Sequence, residues 1–247
     1  MTTGQKVAIG GTLAMVLAVG IELLWLHHER TTGWKQPVAQ DYGPTDPDDL
    51  VFLKKKRPFT LPDIKQLDGT TVWVSAGGQL DYYPYAAHRA EFAKSAGTLL
   101  GAEPLVIKDA FEQVAPKEAT FRIPGGDRQV LVAFTMPRSA DPAKQYAVPV
   151  GYRQGHDYTF YTDEILFYDD PHQLDSFWGP QIWQAVDAHQ VVLGMTEHEV
   201  ELSLGQVSKS DSKDYGNRLV VFSNVGHPMA VTFVKNHVTA FRPDSGD

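Results

Sequence analysis

The chain contains no cysteine. That absence removes disulfides, thiolate metal sites, a cysteine nucleophile and a lipobox cysteine together, and it leaves the redox compartment open, because a protein without disulfides folds in any of them. Basic residues are in short supply: 22 lysines and arginines stand against 30 aspartates and glutamates, a net charge of -8. A nucleic-acid surface needs a basic field, so no nucleic-acid partner is expected. Catalytic signatures are missing too. No G-x-S-x-G occurs, and Gly125-Gly126 lacks the strand–glycine-rich turn–helix context that a phosphate-cradling loop requires. The nine histidines form neither H-x-x-x-H nor H-E-x-x-H. Asp169, Asp170 and His172 cluster without the glycine-punctuated register of a calcium loop. No metal, cofactor or catalytic residue is expected.

What is present suits a globular chain. Of 247 residues, 43% are hydrophobic and 21% charged, enough to build a core. Glycine and proline are spread along the sequence, which favours short elements joined by turns. Val7 to Leu26 is apolar apart from Glu22, and its length is close to the ~20 residues of a spanning helix. Trp25 suits an interfacial position. Residues 1–29 are therefore read as a membrane anchor through residues 7–26, with a cleaved signal peptide ending near Ala18-Val19-Gly20 as the alternative. The expected location is a single-pass inner-membrane protein with its C-terminal bulk in the periplasm. Residues 30–62 read as a proline- and glycine-rich linker. Within it Lys54-Lys55-Lys56-Arg57 could meet anionic lipid; with Asp46, Asp48 and Asp49 just upstream it is read as a solvated charge run.

Residues 63–172 read as β-rich. Asp68-Gly69 and Gly77-Gly78 are turn dipeptides flanking the strand Thr70 to Ser75. Further strands are expected at Pro104–Ile107, Glu118–Ile123, Gln129–Met136, Tyr146–Val150 and through the aromatic run Tyr158–Tyr168. A short helix is expected at His88–Ala96, and a helical turn or loop at Asp109–Val114. Many short strands with regular turns point to a small antiparallel barrel or curled sheet. The D-G-T-T-V-W-V opening at Asp68–Val74 loosely resembles an SH3-like barrel. Trp73, Tyr82, Tyr83 and Tyr85 form a candidate ligand platform, against the commoner use of such rings as core.

Residues 173–243 carry the clearest local signals, followed by a tail, 244–247. Ile182, Val186 and His189 with Trp183 form a helical stripe. Thr196 and Glu199 have capping-box spacing, and Gly205 is placed to stop the helix in the left-handed region. Strands are expected at Tyr215–Ser223 and Met229–Phe241. Tyr215-Gly216-Asn217-Arg218 suggests a tight turn or bulge, with Arg218 able to offer a guanidinium to a carboxylate partner, against the commoner use as a solvent-exposed strand arginine. The pattern Gly194-Met195-Thr196, Val200, Leu204-Gly205, followed by Val231, Phe233, Val238 and Phe241, resembles the SmpA/OmlA (BamE-like) envelope module. The resemblance implies two helices on an antiparallel sheet, a periplasmic setting and protein contacts in envelope assembly. The lipobox of that family is absent here.

The overall expectation is an α+β, membrane-anchored bacterial cell-envelope protein that is non-enzymatic and binds a protein or cell-wall partner. The alternative is an envelope glycan-acting enzyme, with His156, Asp163 or Glu164 in an aromatic-lined cleft. Adjacent residues of a strand face opposite ways, so a strand through Asp163-Glu164 could not put both in one site.

Overall fold

The computed structural model describes residues 3–31, 47–114, 116 and 128–244, with side chains from Met15 onward in the first helix. The chain divides into two compact units, Met1–Asp46 and Pro47–Asp247. Among the described residues the first contains one helix, α1 (Thr3–Thr31). Its described apolar side chains, among them Leu17, Ile21, Leu24 and Trp25, are exposed. No helix is long and apolar enough to cross a membrane among the described residues, and the expected span Val7–Leu26 lies partly outside the described side chains.

The second unit is α+β, with two antiparallel sheets and short helices. After a 3-10 turn at Pro47–Leu50 comes α2 (Leu61–Lys65). The strands β1 (Thr71–Val74), β2 (Asp81–Ala86), β3 (Arg89–Ala90), β4 (Gly97–Thr98), β5 (Pro104–Val114), β6 (Arg128–Thr135), β7 (Gln145–Gln154) and β8 (Asp157–Phe160) follow. Then come α3 (Thr162–Ile165), β9 (Leu166–Phe167), α4 (Pro171–Leu174), α5 (Pro180–Asp187) and α6 (Glu197–Leu204). Strands β10 (Val207–Ser210), β11 (Leu219–Phe222), β12 (Met229–Val234) and β13 (His237–Pro243) complete the chain.

The larger sheet runs β3-β2-β7-β6-β5-β1-β9, with β4 on β2 and β8 on β7. β6 lies at its centre and is buried from Gln129 to Thr135. Its even-numbered residues Val130, Val132 and Phe134 join one core with Val72, Ile107, Val148 and Ile165. Leu131 and Ala133 on the other face join Phe111, Ala147 and Ala90. Burial on both faces explains why the strand is an unbroken apolar run rather than an alternating one.

Three expectations are corrected in this region. His88–Ala96 is not a helix. Ala87 and His88 both take positive φ (50° and 56°), which makes the two-residue turn of the β2–β3 hairpin. Asp109–Val114 is the second half of the long strand β5, paired with β6 as far as Val114↔Arg128. Tyr158–Tyr168 is broken: β8 ends at Phe160, and Asp163 and Glu164 occupy the first turn of α3. The expected strand at Glu118–Ile123 lies outside the described residues.

The smaller sheet is β10-β11-β12-β13, with α5 and α6 packed on it through Val186, Met195, Val200, Leu202, Phe222, Val231 and Phe233. The capping box forms: Thr196 Oγ1 accepts the Glu199 N–H at 3.2 Å, and the Glu199 carboxylate accepts the Thr196 N–H at 2.7 Å. The helical stripe ends earlier than expected, because α5 stops at Asp187 and His189 has φ 52°. The stretch Met229–Phe241 is two strands, turned by Lys235 and Asn236, both at positive φ. The polar run before Tyr215 contains the further strand β10.

The two sheets meet along a seam of glycines. A Cβ on Gly101 would sit 1.8 Å from Leu202 O, one on Gly205 2.4 Å from Gly77 O, and one on Gly77 2.4 Å from Gly101 N. No side chain fits at any of these three backbone approaches. Gly205 has φ 81°, ψ -136°. It stops α6 as expected, but in an extended glycine-only conformation rather than the left-handed helical one. Trp73 and Phe167, side by side on β1 and β9, complete the junction by packing into the core of the smaller sheet.

Candidate functional site

The aromatic residues singled out in the sequence are not brought into one platform. β1 and β2 are separated by β5, β6 and β7, so Trp73 is in one core and Tyr82 in another. Tyr82 packs edge-on against Phe134 and Tyr146 at 6.1 and 4.9 Å. Tyr83 meets Phe92 at 5.0 Å. Tyr85 lies against Phe111 at 5.1 Å, and its hydroxyl donates to Asp109 at 2.8 Å. Burial, reinforced by that carboxylate, pushes the Tyr85 phenol up to about 12, so it stays a donor throughout the physiological range. His88 Nδ1 approaches the same Asp109 carboxylate at 2.7 Å.

Tyr85 also lines a groove of about 610 Å³ between the β2–β3 hairpin and the far end of β5. Pro84, Ala90, Phe92, Val114 and Pro116 give it apolar walls, and Arg89, Glu91 and Gln113 supply polar groups. Here β3 reaches across to β5, although β2, β7 and β6 intervene in strand order. The backbone edge of β3 is met by the Gln113 side chain. Gln113 Oε1 accepts the Ala90 N–H at 2.7 Å, and Gln113 Nε2 donates to the Ala90 carbonyl at 2.9 Å. A primary amide has one acceptor and a donor pair spaced like those of a peptide unit. Gln113 thus satisfies the edge of β3 as a neighbouring strand would. Sequence reasoning missed this pair, which joins residues 23 positions apart. Nearby, Gln129 is fully buried with neither its Oε1 nor its Nε2 hydrogen-bonded among the described residues.

Arg218 is used internally. Glu197, in the first turn of α6, is fully buried, and its carboxylate accepts Arg218 Nη2 at 2.5 Å, Arg218 Nε at 2.8 Å and the Gly216 N–H at 2.7 Å. Gly216 has φ 76°, the positive value expected of the Tyr215–Arg218 turn, and that turn is what aims both donors at Glu197. Next to it, burial pushes the Glu201 carboxyl up to about 7, with the Glu197 charge adding to the shift and Arg218 opposing it. Glu201 and His198 line a smaller cleft of about 260 Å³ at the glycine seam.

Asp163, Asp169, Asp170 and His172 serve structural contacts. The carboxylate of Asp163 accepts the backbone N–H groups of Lys56 and Arg57 at 2.9 and 2.8 Å and the Tyr168 hydroxyl at 2.8 Å. Burial raises its pKa, but these donors outweigh it and hold the group below the usual carboxylate value. His156 is exposed in the β7–β8 turn. Asp170 caps α4 through the His172 N–H, and the His172 ring reaches Asp170 on one side, at 2.9 Å, and Asp187 on the other, at 3.2 Å. That ring also stacks on Trp183 at 4.1 Å. Asp169 pairs with Lys54 at 3.1 Å.

No family model, curated protein or solved structure matches the chain.

Proposed function

We propose that this chain is a membrane-anchored protein of a bacterial cell envelope that binds an extended segment of a partner protein in the groove beside Tyr85. One observation carries the binding half of the proposal: a backbone edge at Ala90, satisfied by the Gln113 amide, next to an apolar groove. A partner strand offers the same donor and acceptor as Gln113, and its alternate side chains would enter the groove. That is how extended peptides add to sheet edges. The anchor is supported by the apolar run Val7–Leu26 and by the helix Thr3–Thr31 with its exposed leucines and isoleucine. The periplasmic setting and the BamE-like reading of residues 173–243 draw support from the two helices packed on an antiparallel sheet. The glycan-enzyme alternative has less support, since the Asp163 carboxylate is taken up by three local donors.

The test is a photo-reactive phenylalanine analogue placed at Phe92 in the full-length chain in its native membrane. The expected result is one discrete protein adduct, with the cross-link mapping to a single extended segment of the partner. The same analogue at exposed His156 should give none. Equal labelling from both positions, or none from Phe92, would sink the groove as a partner site.

A further inference from the structure

We propose that the strap Leu50–Thr60 is a second membrane contact that lies on anionic lipid headgroups. The strap is apolar and basic at once. Leu50, Phe52, Leu53 and Phe59 are 60%, 90%, 44% and 78% exposed, and Lys54, Lys55, Lys56 and Arg57 between them are all exposed. Burying a leucine or phenylalanine side chain is stabilising, so two phenylalanines held outward forgo a gain.

The strap does not display them for want of attachment. The Lys56 and Arg57 N–H groups are fixed on the Asp163 carboxylate. The Lys55 ammonium donates to the Asp163 carbonyl. Lys54 pairs with Asp169, and Asp63 holds the Phe59 and Thr60 N–H groups at 3.0 and 2.8 Å. A backbone pinned from Lys56 to Thr60, with Phe59 turned to solvent and Phe52 exposed just before it, is a presented surface.

Its chemistry points to a bilayer. Apolar rings interleaved with lysine and arginine are the composition of interfacial anchors, in which the rings enter the acyl boundary and the cations meet phosphate. The four consecutive cations stand out in a chain of net charge -8, and Leu50–Leu53 separate them from Asp48 and Asp49 upstream, so an anionic surface favours this segment over its surroundings. Each lysine or arginine near such a surface adds to the attraction. The share of Lys54 held by Asp169 makes the strap a weak binder alone. The proposal rests on the anchor reading for its tether: residues 32–46 join α1 to the Pro47–Leu50 turn that leads into the strap, with a reach of at most about 55 Å, which keeps the strap at high effective concentration over the lipid.

The chain has no cysteine, so a single introduced one reports its own position. A nitroxide on Leu53→Cys leaves both phenylalanines in place. The full-length protein is reconstituted in vesicles of phosphatidylcholine with phosphatidylglycerol, and in phosphatidylcholine alone, and collision of the label with oxygen and with a water-soluble nickel chelate is read by spin resonance. The expected result is a several-fold drop in nickel collision in the anionic vesicles only, reversed when Lys54, Lys55, Lys56 and Arg57 are changed to glutamine. A label that stays nickel-accessible in anionic vesicles overturns the proposal. A second preparation labelled at Leu17→Cys separates the two readings: Leu17 in lipid with position 53 in water leaves the anchor standing without the strap contact. Position 53 in lipid with Leu17 in water supports the strap contact and removes the anchor.

Discussion

The guanidinium of Arg218 closes on the carboxylate of Glu197 at 2.5 Å, with the carboxylate fully buried and the arginine at the edge of solvent. Removing one member of such a pair leaves the other charge buried without its partner, which costs about 3–5 kcal/mol. Arg218→Ala should lower the denaturant midpoint accordingly. The double variant Glu197→Gln with Arg218→Ala should recover a substantial part of the loss. A double-variant cycle with coupling near zero would show that the pair does not act as one unit.

Glu201 gives the fold a pH dependence whose sign follows from its carboxyl being pushed up to about 7. Between the ordinary carboxylate value of the unfolded chain and about 7, the folded state holds a proton that the unfolded state has lost. Stability therefore falls as pH rises through that window. Glu201→Gln should flatten the fall and leave the variant more stable than the parent at pH 8, by on the order of 1–2 kcal/mol after allowance for solvent screening. Urea midpoints for both proteins at pH 5 and pH 8 read this directly; a parent whose stability is flat or rises across the window would contradict it.

The glycine seam predicts a sharp contrast between positions. Gly101→Ala would place a Cβ 1.8 Å from Leu202 O, against backbone that cannot yield, and should cost more than about 3 kcal/mol or abolish folding. Gly155→Ala meets nothing within 4 Å and carries only the strain of φ 62°, about 1–2 kcal/mol. Thermal unfolding of the two variants should order them this way.

Gln113 holds both edge groups of Ala90. Gln113→Ala leaves a backbone donor and acceptor unpaired and should cost about 1–3 kcal/mol. It should also speed amide hydrogen exchange at Ala90 while leaving the β5–β6 ladder protected. Unchanged exchange at Ala90 would show that the side-chain amide is not what closes the edge.

The parts of the fold that were legible in the sequence are those in which cause and effect are local. Thr196 and Glu199 are three residues apart and cap each other, and the turn at Gly216 follows from the need for positive φ. The hairpin at Ala87-His88 was hidden because Ala-His is not one of the Asn-Gly, Asp-Gly or Gly-Gly pairs that mark such a turn, and Phe92 with Ala96, four residues apart, imitates a helix face. The break before α3 was hidden by its aromatic flanks, since Tyr158, Phe160 and Tyr161 read as strand while Thr162-Asp163-Glu164 is a helix start. The two polar pairs that organise the candidate sites were out of reach for a different reason. Gln113 with Ala90, and Glu197 with Arg218, join residues 23 and 21 positions apart. Only the folded topology brings them together, and nothing in the local sequence marks Glu197 as buried.

The central claim, that the chain is held in a membrane and displays its folded unit outside the cytoplasm, is tested most directly by one labelling measurement. His156→Cys puts a single thiol on an exposed turn of an otherwise cysteine-free chain. Intact cells are treated with a membrane-impermeant maleimide, and their membranes are then washed at alkaline pH. The account predicts that the protein stays with the washed membranes and is labelled before any lysis. Release into the alkaline wash, or labelling only after the cells are broken, would contradict it.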